Sequence, residues 1–220
     1  TGQFITIPLG SLGADILGID IDLPSIEHAR RINPYENVRF ECSTVGKLSD
    51  QQFDFIICSE VLEHLEGPEE MLGDIKKMLK RNGICIVTIP NGFGPKEIET
   101  RIYDILKNIK LIGLLRVLKH KLYSKNTLHK TSKMENLRDT LNSASPHLQF
   151  FSYKQFKKIQ GQCGLEIIKW TNRRFLSGPF SDRFLGRSER LINWNVKIAE
   201  KLPHFCVSSW MFVIEHNKKS

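Results

Sequence analysis

The amino-acid sequence predicts an α/β fold: a doubly wound, mostly parallel sheet with helices on both faces. Three observations predict it. Short apolar runs alternate with segments whose apolar residues recur at the helical period. The runs are continuous rather than alternating apolar and polar, as in strands buried on both faces. Proline, glycine and asparagine punctuate the boundaries between them.

Taken in order, Ala14–Ile21 reads as a buried strand ending in acids. Pro24 opens a helix to Ile32, with Ile26, Ala29 and Ile32 on one side and Asp22 placed to cap it. Val38–Cys42 and Phe53–Cys58 are the next two strands. Pro68–Lys80 follows the helical period, with Glu69 and Glu70 favouring its N-terminus and Asn82-Gly83 breaking it. Ile84–Ile89 is a fourth strand, stopped by Pro90. Residues 95–146 interrupt this rhythm. Arg101–Leu122 is helical in composition, but one stripe (Ile102, Ile105, Leu106, Ile109) gives way to another (Leu111, Leu114, Leu115, Leu118, Leu122), so two helices or a bend near Gly113 are expected. Tyr123–Pro146 is polar. The alternation then returns: a helix Ser152–Gln162 with Ser152 as N-cap and Phe156 and Ile159 facing inward, ended by Gly164; a strand Leu165–Trp170; a helix near Glu189–Leu202; and an edge or inserted strand over Cys206–Glu215. The expected division is a core over residues 1–95, a basic helical insertion or lid over 96–146 after the fourth strand, and the rest of the core over 147–220.

At 220 residues, 40% hydrophobic and 25% charged, the chain is long enough to bury a substantial core. Charges interrupt the longest apolar stretches, so no membrane-spanning helix is predicted. Cys42, Cys58 and Cys85 lie inside predicted strands and are expected to be buried thiols. No CxxC pair is present, which argues against a zinc cluster or a disulfide scaffold and for a reducing, cytoplasmic setting. The charge is uneven. Residues 1–100 carry 9 Lys/Arg against 16 Asp/Glu, residues 101–130 carry 8 against Asp104 alone, and residues 131–220 carry 15 against 7. A basic second half points to an anionic partner: phosphate, a membrane surface or nucleic acid.

Four segments taken together resemble the class I S-adenosylmethionine (SAM)-dependent methyltransferases, a Rossmann-like family. Thr1-Gly2-Gln3-Phe4 resembles the end of the family's glycine-rich turn, with Gly2 as its last glycine. The family's first strand would precede Thr1, so the sequence is expected to start partway through the natural protein. Gly18-Ile19-Asp20-Ile21-Asp22 matches the end of the second strand, where the resemblance implies that Asp20 accepts from the cofactor ribose and Ile21 packs on the adenine. Phe40-Glu41-Cys42-Ser43-Thr44 matches the next strand end, although Ser43 stands where the family commonly has an acid; Ser43 or the Thr44 amide would read the adenine. The most specific segment is Phe53-Asp54 with Cys58-Ser59-Glu60-Val61-Leu62-Glu63-His64-Leu65. It resembles small-molecule methyltransferases, ubiquinone-biosynthesis O-methyltransferases among them. There the resemblance implies that Ser59 and Glu60 lie beside the methionine part of SAM, and that Glu63 and His64 face the substrate.

That loop leaves two chemical readings open. In the ubiquinone enzymes and the small-RNA 3′-end methyltransferases a Glu-x-x-Glu-His string helps to bind a divalent metal, and Glu60, Glu63 and His64 match it. Without a metal, His64 would serve as general base toward an acceptor hydroxyl. His147, ahead of an aromatic pair and the next helix, is a second candidate for contact with the acceptor. The loop Pro90-Asn91-Gly92-Phe93-Gly94-Pro95 would rim the pocket. The resemblance thus implies methyl transfer from SAM, leaving S-adenosylhomocysteine, to a small-molecule or lipid- or sugar-linked acceptor, with O-methylation expected. Residues 101–125 interleave Leu and Ile with Arg116, Lys119, Lys121 and Lys125, which suits peripheral membrane contact. Nucleic acid has less support, since only Tyr103 and Tyr123 could stack bases there. An RNA methyltransferase, a nicotinamide-dependent oxidoreductase and a non-catalytic SAM-binding module remain as alternatives.

Overall fold

The structure, a computed structural model, describes residues 2–109, 147–186 and 188–218. The chain forms two compact units. The described residues up to Gln52 make the first, and those from Phe53 onward make the second.

In the first unit, a short helix α1 (Thr6–Leu9) runs into a 3-10 turn, followed by β1 (Ile16–Asp20), α2 (Leu23–Ile32) and β2 (Val38–Cys42). β1 and β2 pair in parallel, from Ile16 opposite Val38 to Asp20 opposite Cys42. Asp22 starts α2 as predicted: its carboxylate accepts the amide of Ser25 at 3.1 Å. Ile26 and Ala29 on α2 bury themselves against Val38 and Phe40, with Ile7, Ile16 and Tyr35 packed around them. Gly2 has a positive φ of 42°, and a Cβ there would lie 2.7 Å from the Phe40 ring, so both backbone and packing require glycine. Cys42 departs from the expected buried thiol. It is exposed because it closes β2, past the apolar layer that Val38 and Phe40 make.

The second unit contains β3 (Phe53–Ser59), α3 (Pro68–Met78), β4 (Leu79–Pro90), α4 (Pro95–Asn108), α5 (Tyr153–Gln162), β5 (Leu165–Arg174), α6 (Ser181–Leu185), α7 (Glu189–Lys201) and β6 (Ser209–His216). Its sheet has the order β3-β4-β6-β5. β3 and β4 are parallel, and β6 runs antiparallel to both β4 and β5. Three strands therefore share one direction and the last is inserted against them. This is the α/β, mostly parallel class the sequence predicts.

Boundaries differ where pairing overrides local pattern. The helix expected to reach Lys80 stops at Met78, because Leu79 already pairs with Phe53. Between that pair and Phe55/Ile84, β4 advances five residues while β3 advances two, so Asn82-Gly83 lies in a bulge rather than a turn. β5 continues four residues past Trp170, and β6 begins at Ser209 after a 3-10 turn over His204–Cys206. Ile102 and Ile105 on α4, and Ile109 just past its end, are exposed. The expected second stripe (111–122), the bend near Gly113 and the polar stretch 123–146 lie outside the described residues. Among the described residues no helix is long and apolar enough to cross a membrane.

α5 starts on a full capping box: Ser152 accepts from the Gln155 amide, and the Gln155 side chain accepts from the Ser152 amide. That cap aims Phe156 into the core, where its ring lies 4.6 Å from that of Phe212. Tyr153 joins the same cluster through Trp170, Trp210 and Phe212. Phe156→Ala is expected to destabilise the protein by about 3–5 kcal/mol. Phe205→Ala, at a residue 64% exposed, should change stability by less than about 0.5 kcal/mol. Chemical denaturation of the two variants checks both.

Candidate functional site

The predicted cofactor residues of the first unit gather at the carboxyl ends of its two strands. Asp20 is the last residue of β1, and its Oδ1 accepts the Asp22 amide at 3.0 Å, which fixes the carboxylate at the turn. The Ser43 amide donates to the Asp20 carbonyl at 3.0 Å, tying the two strand ends together. The Ser43 hydroxyl donates to the Thr44 carbonyl at 3.3 Å, and Thr44 precedes a short 3-10 turn. Ile21 is 75% exposed beside them, an apolar side chain open to a ligand. Gly2 instead packs on Phe40.

In the second unit the decisive segment is the turn after β3. Ser59 ends the strand, and its hydroxyl lies 2.8 Å from that of Thr88 on β4. Glu60 follows with a φ of 55°, the one non-glycine residue with positive φ among the described residues. An L-residue pays roughly 1–2 kcal/mol for that conformation, and such residues cluster at functional sites. The Glu60 amide donates to the Thr88 carbonyl at 3.0 Å, which holds the turn. Its Oε1 accepts from the Thr88 hydroxyl and from Arg173 Nη1, both at 3.2 Å.

A 3-10 turn over Leu62–His64 then reverses the chain, anchored by fully buried Leu62. The Glu63 carbonyl accepts the amides of Leu148 and Gln149 at 2.8 and 3.0 Å, drawing in the segment that bears His147. The His64 and His147 rings meet edge to face, 5.1 Å apart. Ligand atoms of Glu63, His64 and His147 all lie within 4.8 Å of one another. Glu60 is not in that cluster, because Thr88 and Arg173 occupy its carboxylate.

Glu63 is fully buried, and neither carboxylate oxygen has a hydrogen-bond partner among the described residues. Burial pushes its carboxyl up to about 7. Glu97, in the first turn of α4, lies beside the pair: its Oε1 is 3.3 Å from His147 Nδ1. The hydrogen bond to His147 holds the Glu97 carboxyl below its ordinary range. A neutral imidazole that directs its Nδ1–H to such a carboxylate carries its lone pair on Nε2.

The loop 90–95 fixes these positions. The Asn91 amide donates to the Ser208 carbonyl and the Gly92 amide to the Phe151 carbonyl, each at 2.9 Å. A Cβ on Gly92 would lie 2.6 Å from the Phe150 backbone, and one on Gly94 would lie 2.4 Å from the Val207 carbonyl. Both glycines let the loop lie flat between these two segments. Sequence reasoning did not single out Glu97, Lys96, Arg173 or Arg174. An acid in a first helical turn reads as a dipole partner, and the arginines stand in the polar continuation of a strand.

Residues 1–87 match the family model of a methyltransferase domain. A ubiquinone biosynthesis O-methyltransferase of Rickettsia akari (strain Hartford) is 32% identical over 93 residues, which cover 41% of this chain and 37% of the relative. The chain thus spans well under half the length of the curated relatives it matches. Among solved structures, PKMT2 from Rickettsia typhi superposes with a TM-score of 0.60 at 15% identity, covering 98% of this chain and 47% of that one. Its complex with AdoHcy gives 0.53 at 16% identity over 91% and 44%. A TehB-like SAM-dependent methyltransferase from Corynebacterium glutamicum gives 0.53 at 13% identity over 97% and 74%. The fold is the Rossmann-like α/β fold of these solved structures, and the first 87 residues match a methyltransferase-domain family model.

Glu63→Gln removes a buried carboxylate that lacks hydrogen-bond partners. In a chelating buffer at pH 8 it is expected to raise stability by about 1 kcal/mol or more, seen as a higher thermal midpoint. An unchanged or lower midpoint would show that a partner compensates the charge.

Proposed function

We propose that the protein transfers the methyl group of SAM to a hydroxyl of a small-molecule or lipid- or sugar-linked acceptor. The observation that carries this reading is the family match over residues 1–87, because that stretch contains both Asp20 and the whole Ser59–Leu65 loop. The similarity to ubiquinone O-methyltransferases supports oxygen as the atom methylated.

SAM brings an already activated methyl group, which passes to the acceptor oxygen as its bond to sulfur breaks and sulfur keeps the electron pair. The chain's tasks are to bind, to align and to take up a proton. Asp20 would accept from the ribose hydroxyls, Ile21 would cover the adenine, and Ser43 and Thr44 would read its edge. Ser59 and Glu60 would meet the methionine part. His147 is the base of choice: Glu97 orients its ring and stabilises the imidazolium formed when Nε2 takes the acceptor proton. His64, edge-on to His147, would position the acceptor.

One observation favours a metal-assisted version of the same reaction. The buried Glu63 carboxylate, without a hydrogen-bond partner among the described residues, and two imidazoles form a donor set that suits Mg²⁺, Mn²⁺ or Zn²⁺. Glu63, His64 and His147 would hold the ion, and a bound cation would ease loss of the acceptor proton. Glu97, on the far nitrogen of His147, then orients a ligand instead of a base.

Calorimetric titration should show micromolar binding of S-adenosylhomocysteine and none of NADH, with Asp20→Ala weakening the former at least tenfold. Failure of a folded sample to bind S-adenosylhomocysteine would overturn the reading. His147→Gln is expected to cut methyl transfer to hydroxyl acceptors by about 10²–10⁴-fold while leaving S-adenosylhomocysteine affinity unchanged. In the metal version, Mn²⁺ raises the thermal midpoint of the wild type but not of Glu63→Gln.

A further inference from the structure

A cleft of about 170 Å³ opens at the carboxyl ends of β4 and β5, lined by Glu60, Pro90, Lys96, Arg173, Arg174, Ser177, Ser208 and Ser209. Ser209 forms its base, paired with Pro90 on one side and with Arg174 on the other. Three side chains on this lining carry positive charge and one, Glu60, carries negative charge. Of the three cations, Glu60 pairs with Arg173. No ion pair within 4 Å engages Lys96 or Arg174 among the described residues, and no hydrogen bond engages the hydroxyls of Ser177 and Ser209 there. Lys96 stands in the first turn of α4, at the positive end of the helix dipole, a placement that costs stability. Cations held together against their own repulsion, beside idle hydroxyl donors, mark a place for an anion.

We propose that this cleft binds a phosphate monoester borne by the methyl acceptor, with Lys96, Arg173 and Arg174 neutralising it and Ser177 and Ser209 donating to it. The net charge of two on the lining matches a phosphomonoester near neutral pH, which carries about −1.5 to −2. A carboxylate or a phosphodiester, with one charge, leaves the cations half-compensated. The guanidinium forks suit the several oxygens of a phosphoryl group. Glu60 lies on the cleft wall, so an acceptor anchored here reaches toward the turn that begins at Ser59. The inference rests on the methyltransferase reading for what the phosphate is attached to, but not for the anion site itself.

The test is calorimetric titration of the protein with phenyl phosphate and, separately, benzoate, in chloride buffer. Phenyl phosphate is expected to bind at least tenfold more tightly than benzoate. Arg174→Ala should weaken it about tenfold, and Lys96→Met should do the same should Arg174→Ala fail to fold. Equal affinity for the two probes, no binding of either, or binding untouched by either substitution would overturn the proposal. Sedimentation with phosphatidate vesicles, compared with phosphatidylcholine vesicles, tells a lipid-borne monoester from a soluble one. Parallel titration with S-adenosylhomocysteine separates the two readings. If it binds and phenyl phosphate does not, only the subsite fails; the converse leaves the anion site and removes the methyltransferase assignment.

Discussion

The insertion of β6, antiparallel, between β4 and β5 is the constraint on which the second unit rests. β4 and β5 run the same way but do not touch, so each depends on β6 for its backbone hydrogen bonds along that edge. Reversing the inserted strand also brings its beginning to their ends. Ser208 and Ser209 therefore stand beside Pro90 and Arg174, and the polar lining of the cleft is assembled from four segments far apart in sequence. Trp210 and Phe212 meanwhile bury the strand from below, and the Trp210 indole donates to the His204 carbonyl at 2.8 Å. The strand runs from the cleft at Ser209 straight into the core at Trp210, Phe212 and Ile214.

Polar side chains secure this arrangement where the backbone cannot. Asn172 donates to the Ala199 carbonyl of α7 and to that of Leu202 just past its end, both at 2.8 Å. Asn195 on the same helix donates to the Leu176 carbonyl and accepts its amide. Asn91 ties the loop after β4 to the Val207 carbonyl at 2.8 Å. Glu99 of α4 accepts the amides of Phe180 and Ser181 at the start of α6. Each bond satisfies a buried or terminal backbone group that would otherwise cost about 1–3 kcal/mol. Together they hold the site-bearing loops to the sheet without a disulfide among the described residues.

Several of these features are legible in the sequence, and the reason is local chemistry. Asp22 ahead of Pro24, and Ser152 three residues before Gln155, announce their helices because caps are short-range. The four central apolar runs announce strands because they are short and rich in β-branched and aromatic residues, whichever of their faces is covered. β5 past Trp170 is illegible: Thr171–Arg174 is polar, and only pairing with β6 makes it a strand. The site divides in the same way. The Ser59–Leu65 loop and Asp20 can be read as contiguous strings. Glu97 cannot, since its meaning comes from His147, fifty residues on, brought beside it by hydrogen bonds from Leu148 and Gln149 to Glu63. Cys42 misleads because apolar alternation does not reveal where a strand stops.

The backbone at Glu60 has a consequence for how this site could change. Glycine would sit there without strain, so replacement of the glutamate would relax the turn by about 1 kcal/mol. It would also release Arg173 and leave Thr88 with Ser59 alone. A sequence drifting under selection for durability alone would therefore slide toward glycine at this position. Glutamate at this position thus sets its contacts with Thr88 and Arg173 against the comfort of the backbone.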